Sequence, residues 1–451
     1  MGKQTRSQAQ AKARTSPPTA AAADSKPAKK TSPLRRSQSA STAKDVDAAD
    51  MDLMPSSQQS HQSKAKLSLA PRNTEPGEVW VVGSGDCGQL GFGTDVLEKE
   101  RPGRLKYFDD KEVVDVVAGG LHNIVITRNG KLYSWGCNDQ KALGREGEET
   151  EPGPVEGLDH EFIVNVACGD SISVALTATG FVYAWGTFRD NNGIFGFAPG
   201  IKVQDRPRKI EDLKNVVHIS AGANHVVAVT LDGKAYTWGV GEQGQLGRKI
   251  ISRHIVDSSL TPRSINFRSS RRVRFHNAFC GAYHTILIGE QGKMMCSFGL
   301  NNFGQLGQGD TDEYDNPQAI DVPFSSGVVQ VAGGEHHTIA LTEKMQVYAF
   351  GRGDSGQLGL LDAGTAVSTP TRLESIENVV SISAGGSFCL AIVSENDTNS
   401  LYGWGYGEMG QLANDSQDAP EPEKFEIKGR HVIAASAGGQ HTIMLLRPKS
   451  E

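Results

Sequence analysis

The chain has 451 residues, a formal net charge of −6, 52 glycines and six cysteines, a length that would suit two or three ordinary domains. It contains no apolar run of 18 residues or more and no apolar N-terminal segment, so neither a membrane-spanning helix nor a secretory leader is expected. The cysteines at 87, 137, 168, 280, 296 and 389 form no Cys-x-x-Cys pair. That spacing argues against a zinc site and for a reducing compartment, where the sequons at Asn396 and Asn414 carry little weight.

Residues 1–76 hold thirteen Lys/Arg against six Asp/Glu, a net +7 that leaves −13 for the rest of the chain. They are rich in Ser, Ala, Gln, Lys and Pro and almost lack aromatic and β-branched residues, which predicts a disordered basic tail. Lys26, Lys29 and Lys30, followed by Arg35 and Arg36, read as a nuclear localisation signal or a nucleic-acid-binding patch, and a solvated tail fits the composition equally.

From residue 77 onward one unit repeats seven times; its clearest copy is GANHVVAVTLDGKAYTWGVGEQGQL at 222–246. A Gly-x-x-His turn follows an apolar run, an Asp-Gly turn sits between alternating apolar residues, and Trp-Gly and GQLG close the unit. The Trp-Gly glycine recurs at 83, 136, 186, 239, 299, 351 and 405. The histidine position recurs as His122, Ile172, His225, His284, His337, Phe388 and His441, and the GQLG apolar residue as Leu90, Leu143, Phe195, Leu246, Leu306, Leu358 and Leu412. The steps are 50 to 54 residues, with one of 59 or 60. The repeat begins on the second half of a unit and ends on a first half. Four short strands per unit, closed on themselves by the two complementary halves, predict an all-β, seven-bladed β-propeller over 77–451 with one blade built from both termini.

Gly83-x-Gly85-x-x-Gly88 matches a dinucleotide fingerprint, but the same spacing recurs in several units without a following helix, so it is read as turn chemistry. One residue type at one repeat position marks the histidines as structural, and no spacing supports a metal. No nucleophile elbow, P-loop or HExxH motif is present. Two departures from the repeat remain. Thr187 is followed by FRDNNG at 188–193, a polar, charged loop with one aromatic expected at the surface. The insertion at 248–274 has eight Lys/Arg and one acid, Asp257, and reads as a phosphate or acidic-surface binder.

These features together (GxxH, WG and GQLG units, FRDNNG, FCGAY at 279–283, GEQGQLGR at 241–248 and the closing GGQHT at 438–442) resemble the regulator-of-chromosome-condensation family, chromatin-bound guanine-nucleotide exchange factors for the small GTPase Ran. The resemblance covers residues 77–446. It implies a GTPase-facing wedge formed by Phe188, Arg189, Asp190, Asn191 and Asn192. It also implies exchange residues Asp86, Asp170, His336 and His441, and a GTPase contact at Arg248. Further, it implies chromatin binding to the histone acidic patch and DNA, with Arg263, Arg268, Arg271, Arg272 and Arg274 as anchors. An import receptor would take the tail, placing the protein in the nucleus, and no cofactor, membrane or small-molecule substrate is implied. Asn224 stands where the family pattern has aspartate and is not assigned a catalytic part. The competing readings are an interaction scaffold, against which FRDNNG beside a basic tail argues, and an enzyme with a channel site, for which no acid or ligand cluster keeps phase with the repeat.

Overall fold

A computed structural model describes residues 67–449, except 251–253, 268–272, 290–291, 397 and 416. Among the described residues, seven four-stranded antiparallel sheets form the body. In the first blade Val113–Ala118 lies innermost, then His122–Thr127, Leu132–Gly136 and, at the outside, Gly153–Pro154. The second strand of a blade is buried along its whole length in His122–Thr127, Ile172–Thr177 and His225–Thr230. It packs against neighbouring blades on both faces, so its sequence is nearly continuously apolar instead of alternating.

The closing blade is assembled as the repeat phase requires. Arg430–Ala437 and His441–Pro448 from the C-terminal end pair with Glu78–Ser84 and Glu98–Arg104 from the N-terminal end. The seam runs in unbroken register from Glu78 opposite Leu446 to Gly83 opposite His441. Beside it Arg430 Nε donates to Glu78 Oε2 at 2.8 Å.

Two further circuits hold the blades to each other. At one channel mouth the turn after each innermost strand hands a backbone hydrogen bond to the next blade. Gly120 donates to Gly169, Asp170 to Ala223, Ala223 to Ala282 and Ala282 to Gly334, while Glu335 donates to Gly386, Gly386 to Gly438 and Gly439 back to Gly120, all within 2.9–3.3 Å. This close approach explains the Gly-Gly pairs of the repeat. A Cβ at Gly439 would stand 2.6 Å from the Gly120 oxygen, well inside contact distance.

The repeated histidines form the second circuit. His122 Nε2 lies 2.8 Å from Ser173 Oγ of the next blade, and Ser173 donates its proton to the Ala142 carbonyl. That leaves the histidine as donor and fixes its Nε2–H tautomer. His225 with Thr285, His284 with Thr338, His337 with Cys389 and His441 with Asn123 repeat the arrangement at 2.8–3.1 Å. Where the histidine is lost at Ile172, the facing position in the next blade is apolar too, Val226, and both are buried.

The body also starts earlier than the boundary at 77. Leu69 N–H donates to the Ala178 carbonyl at 2.8 Å, and its side chain packs on the core of the second blade. The tail clusters Lys26, Lys29, Lys30, Arg35 and Arg36 lie outside the described residues.

Candidate functional site

The FRDNNG segment is a two-stranded hairpin, Phe188–Asp190 with Gly193–Gly196, inserted between the third and fourth strands of the second blade. Thr187 at its root donates to the Lys202 carbonyl at 2.6 Å. Asp190 Oδ1 accepts the Asn192 N–H at 2.8 Å, so the Asp side chain closes the tip as an Asx turn. Gly193 takes φ +115°, in the region that favours glycine.

The structure corrects the reading of Phe188 as the exposed aromatic. Its ring is fully buried, in a cluster with Trp238, Val240, Phe197 and Leu260. Phe188 therefore roots the hairpin in the core. The apolar group presented at the tip is Ile194, 46% exposed; it pairs with Arg189 across the hairpin. Arg189, Asn191 and Asn192 are exposed, and Asp190 is half-buried.

Asn224, set aside from the sequence, holds the hairpin in place: its Oδ1 accepts the Arg189 N–H at 2.8 Å. Asp170, Arg189, Asp190, Asn191, Asn224, Gln243 and Tyr283 line one cleft of about 220 Å³ beneath the hairpin. Asp170 borders both this cleft and the channel mouth. Asp170 is exposed to solvent, although the surrounding channel mouth partly desolvates its carboxylate. That desolvation, with the charge of Glu335, pushes its pKa up against the opposing pull of Arg189. His336 completes the patch, stacked on Tyr283 with centroids 5.8 Å apart and 3.9 Å from Glu335 Oε1. Burial holds it below the usual histidine range, and Arg352 adds to this against Glu335 and Asp354. Asp86 is exposed on the same face, on the loop that follows Gly83 in the closing blade.

Two assigned contacts lie elsewhere. His441 is fully buried and bonded to Asn123 Oδ1, so it is a clip between blades and not a surface group. Arg248 turns inward. Its Nε donates to Thr237 Oγ1 at 3.2 Å and its Nη2 to the carbonyls of Thr237, Ser259 and Thr261. Burial, and then the charge of Arg263, lower its pKa to about 10. Arg145 occupies the same repeat position, immediately after Leu-Gly, and spends its guanidinium in the same way on the carbonyls of Ser134, Glu146, Glu148 and Glu151.

Of the insertion's arginines, Arg263 is exposed on the outermost strand Arg263–Ser264. Arg274 is exposed at the opposite end of the third blade from the hairpin, where its Nη2 donates to the Leu231 carbonyl at 3.2 Å. Arg268, Arg271 and Arg272 lie outside the described residues. The insertion is not only a charged loop. It carries the helix Ile255–Leu260, and Leu260 is buried in the cluster that holds Phe188.

Residues 78–444 match the model of the RCC1-like domain. The chain belongs to the RCC1-like family. It is 37% identical over 406 residues to human regulator of chromosome condensation, covering 86% of this chain and 95% of that protein. It is 28% identical over 432 residues to guanine nucleotide exchange factor SRM1 of Saccharomyces cerevisiae, covering 82% and 87%. Among solved structures, Prp20p from Saccharomyces cerevisiae, described with its binding to Gsp1p and histones, superposes with a TM-score of 0.78 at 27% identity over 86% of this chain and 94% of that one. A second structure, Kap60 bound to yeast RCC1 (Prp20), gives 0.78 at 26% over 92% and 97%. Of these relatives, SRM1 carries the name of a guanine nucleotide exchange factor, a task that releases a bound nucleotide without covalent chemistry. Among its described residues no group of three or more His, Cys, Asp or Glu could hold a metal ion.

Proposed function

We propose that the protein is the guanine-nucleotide exchange factor for Ran and acts on chromatin in the nucleus. The observation that carries this reading is the core-rooted hairpin standing over the Asp170–Asn224–Tyr283 cleft. It offers Arg189, Asp190, Asn191, Asn192 and Ile194 on a base anchored in the core by Phe188 and the adjoining Leu260. The hairpin enters the phosphate-binding region of the GTPase, and Asp170, His336 and Asp86 hold the partner around it. No bond is made or broken. A GTPase that binds the exchanger tightly in its empty state must, by linkage, bind its nucleotide weakly in the ternary complex. Exchange runs both ways, and the nucleotide present in excess sets its outcome.

The yeast relative's binding to histones and to Kap60 supports chromatin and import-receptor partners here. Arg263 and Arg274, exposed away from the hairpin, are the described candidates for the histone acidic patch and DNA, with Arg268, Arg271 and Arg272 as further anchors. The Lys26–Lys30 and Arg35–Arg36 clusters would serve the receptor.

The test is release of a fluorescent GDP analogue from Ran by catalytic amounts of protein and of an Arg189→Ala/Asp190→Ala/Ile194→Ala variant. Rapid release by the native protein, at least about tenfold slower with the variant (about 1.4 kcal/mol), is expected. No acceleration by the native protein would leave a scaffold and reject the proposal.

A further inference from the structure

The far mouth of the channel, opposite the hairpin, contains an arrangement that nucleotide exchange does not use. Residues 67–76 run along its rim over three adjacent blades. Leu69 is bonded to the second blade, the Thr74 carbonyl accepts from Arg128 of the first at 3.3–3.4 Å, and Glu75 pairs with Arg447 of the closing blade at 2.8 Å. Between these anchors Arg72 reaches into a channel of about 600 Å³.

Below it lies Asp115, on the innermost strand of the first blade, its side chain 3% exposed. Its Oδ1 accepts the Val116 N–H at 3.0 Å, while Oδ2 has no hydrogen-bond partner among the described residues. The nearest cation is Arg72, Nη1 to Oδ2 at 3.8 Å, an ion pair too long to be a hydrogen bond, with the Arg72 side chain 57% exposed. His218 of the third blade faces the same charge, and burial, then Arg72, keep its imidazole deprotonated with a pKa of about 4. A buried carboxylate with a free lone pair beside a loosely held guanidinium is an underfilled receptor.

We infer that the far channel mouth is a guanidinium-binding site with Asp115 as its acceptor. Arg72 fills it in cis, and an arginine side chain of an extended basic peptide can take it in trans when the strap lifts. A lysine fits less well, since a point charge cannot match the fork that a carboxylate accepts.

The test uses the full chain and reads thermal stability and peptide binding. Arg72→Ala is expected to lower Tm by about 1–3 °C in the native background and by less than half of that beside Asp115→Asn, because the two side chains are coupled. Ten-millimolar methylguanidinium, on the order of a weak-ligand Kd, should restore part of the loss in Arg72→Ala and leave the native protein unchanged. A labelled Gly-Arg-Gly peptide should bind Arg72→Ala more tightly than the native chain and more tightly than Gly-Lys-Gly does. This arm needs no Asp115 variant. Equal Tm losses in both backgrounds, equal methylguanidinium shifts in every variant, or no preference for arginine over lysine would each overturn the site.

Discussion

Phe188, Asn224 and Arg248 each show a side chain whose work is set by direction and not by type. Phe188 lies one residue from exposed Arg189, yet its ring is in the core. Phe188→Ala should therefore cost about 3–5 kcal/mol of stability, visible as a lower Tm, before any effect on exchange is read. Asn224 gives an acceptor to Arg189 N–H, and only the oxygen is needed for that bond. Asn224→Ala is expected to slow GDP release about tenfold with Tm nearly unchanged, whereas Asn224→Asp keeps the acceptor, adds charge, and should match or exceed the native rate. A native rate from Asn224→Ala would show that the hairpin needs no such anchor. Arg248→Ala should lower Tm by removing bonds to buried carbonyls, as Arg145→Ala should, since both serve the same inward purpose. The expectation of Arg248 as a GTPase contact passed over a signal in the repeat: Leu-Gly-Arg occurs in both units, and a residue fixed by repeat position is more readily structural than partner-binding. The burial of Phe188 was not legible, because nothing local to FRDNNG says which side of the hairpin meets Trp238 across a blade boundary.

At the level of elements, the hairpin and the long insertion looked independent in sequence, one a wedge and one a basic surface. The structure joins them. A Cβ on Gly196 in the hairpin would stand 3.0 Å from Leu260 Cδ1, so the helix Ile255–Leu260 buttresses the hairpin from behind. Eight basic residues drew attention away from the apolar Ile255, Val256 and Leu260 that define that helix. Leu260→Ala is accordingly expected to cost about 2–5 kcal/mol and to slow exchange although Leu260 touches no partner. Exchange at native speed in a Leu260→Ala protein that stays folded would refute the buttress. The strands and the seven-fold count were read correctly because each unit carries three markers in fixed order, and period is visible without knowing contacts. The boundary at 77 fell late because residues 67–76 have tail-like composition and gain their contacts only from the finished ring.

The five histidine clips between blades work only while neutral, and His218 in the channel is buried in the same neutral form. His122 and His218 are held at a pKa of about 4, and His225, His284, His337 and His441 at about 3. The cause in each case is burial, to which nearby cations and histidines add in some. In the unfolded chain these rings return to about 6.5. The sign follows from linkage: below 6.5 the unfolded chain takes up protons that the folded ring refuses, so stability is complete above that pH and is lost as pH falls toward 4 and 3. Each histidine contributes a slope of at most about 1.4 kcal/mol per pH unit in that interval, so six of them outweigh most local effects. Buried Asp115, and to a lesser extent the solvent-screened Asp170, act in the opposite sense, because their raised pKa values let the folded state gain protons first, but they are two against six. Tm should therefore be nearly flat from pH 7 to 8 and drop steeply between pH 6.5 and 5. His225→Gln should flatten the drop by about one proton's worth while lowering Tm at pH 7.5 through loss of the clip to Thr285. Melting curves at half-unit pH steps decide it. A Tm unchanged between pH 7.5 and 5 would mean that the rings are already charged or solvated in the folded state, and the account of the blade clips would fall with it.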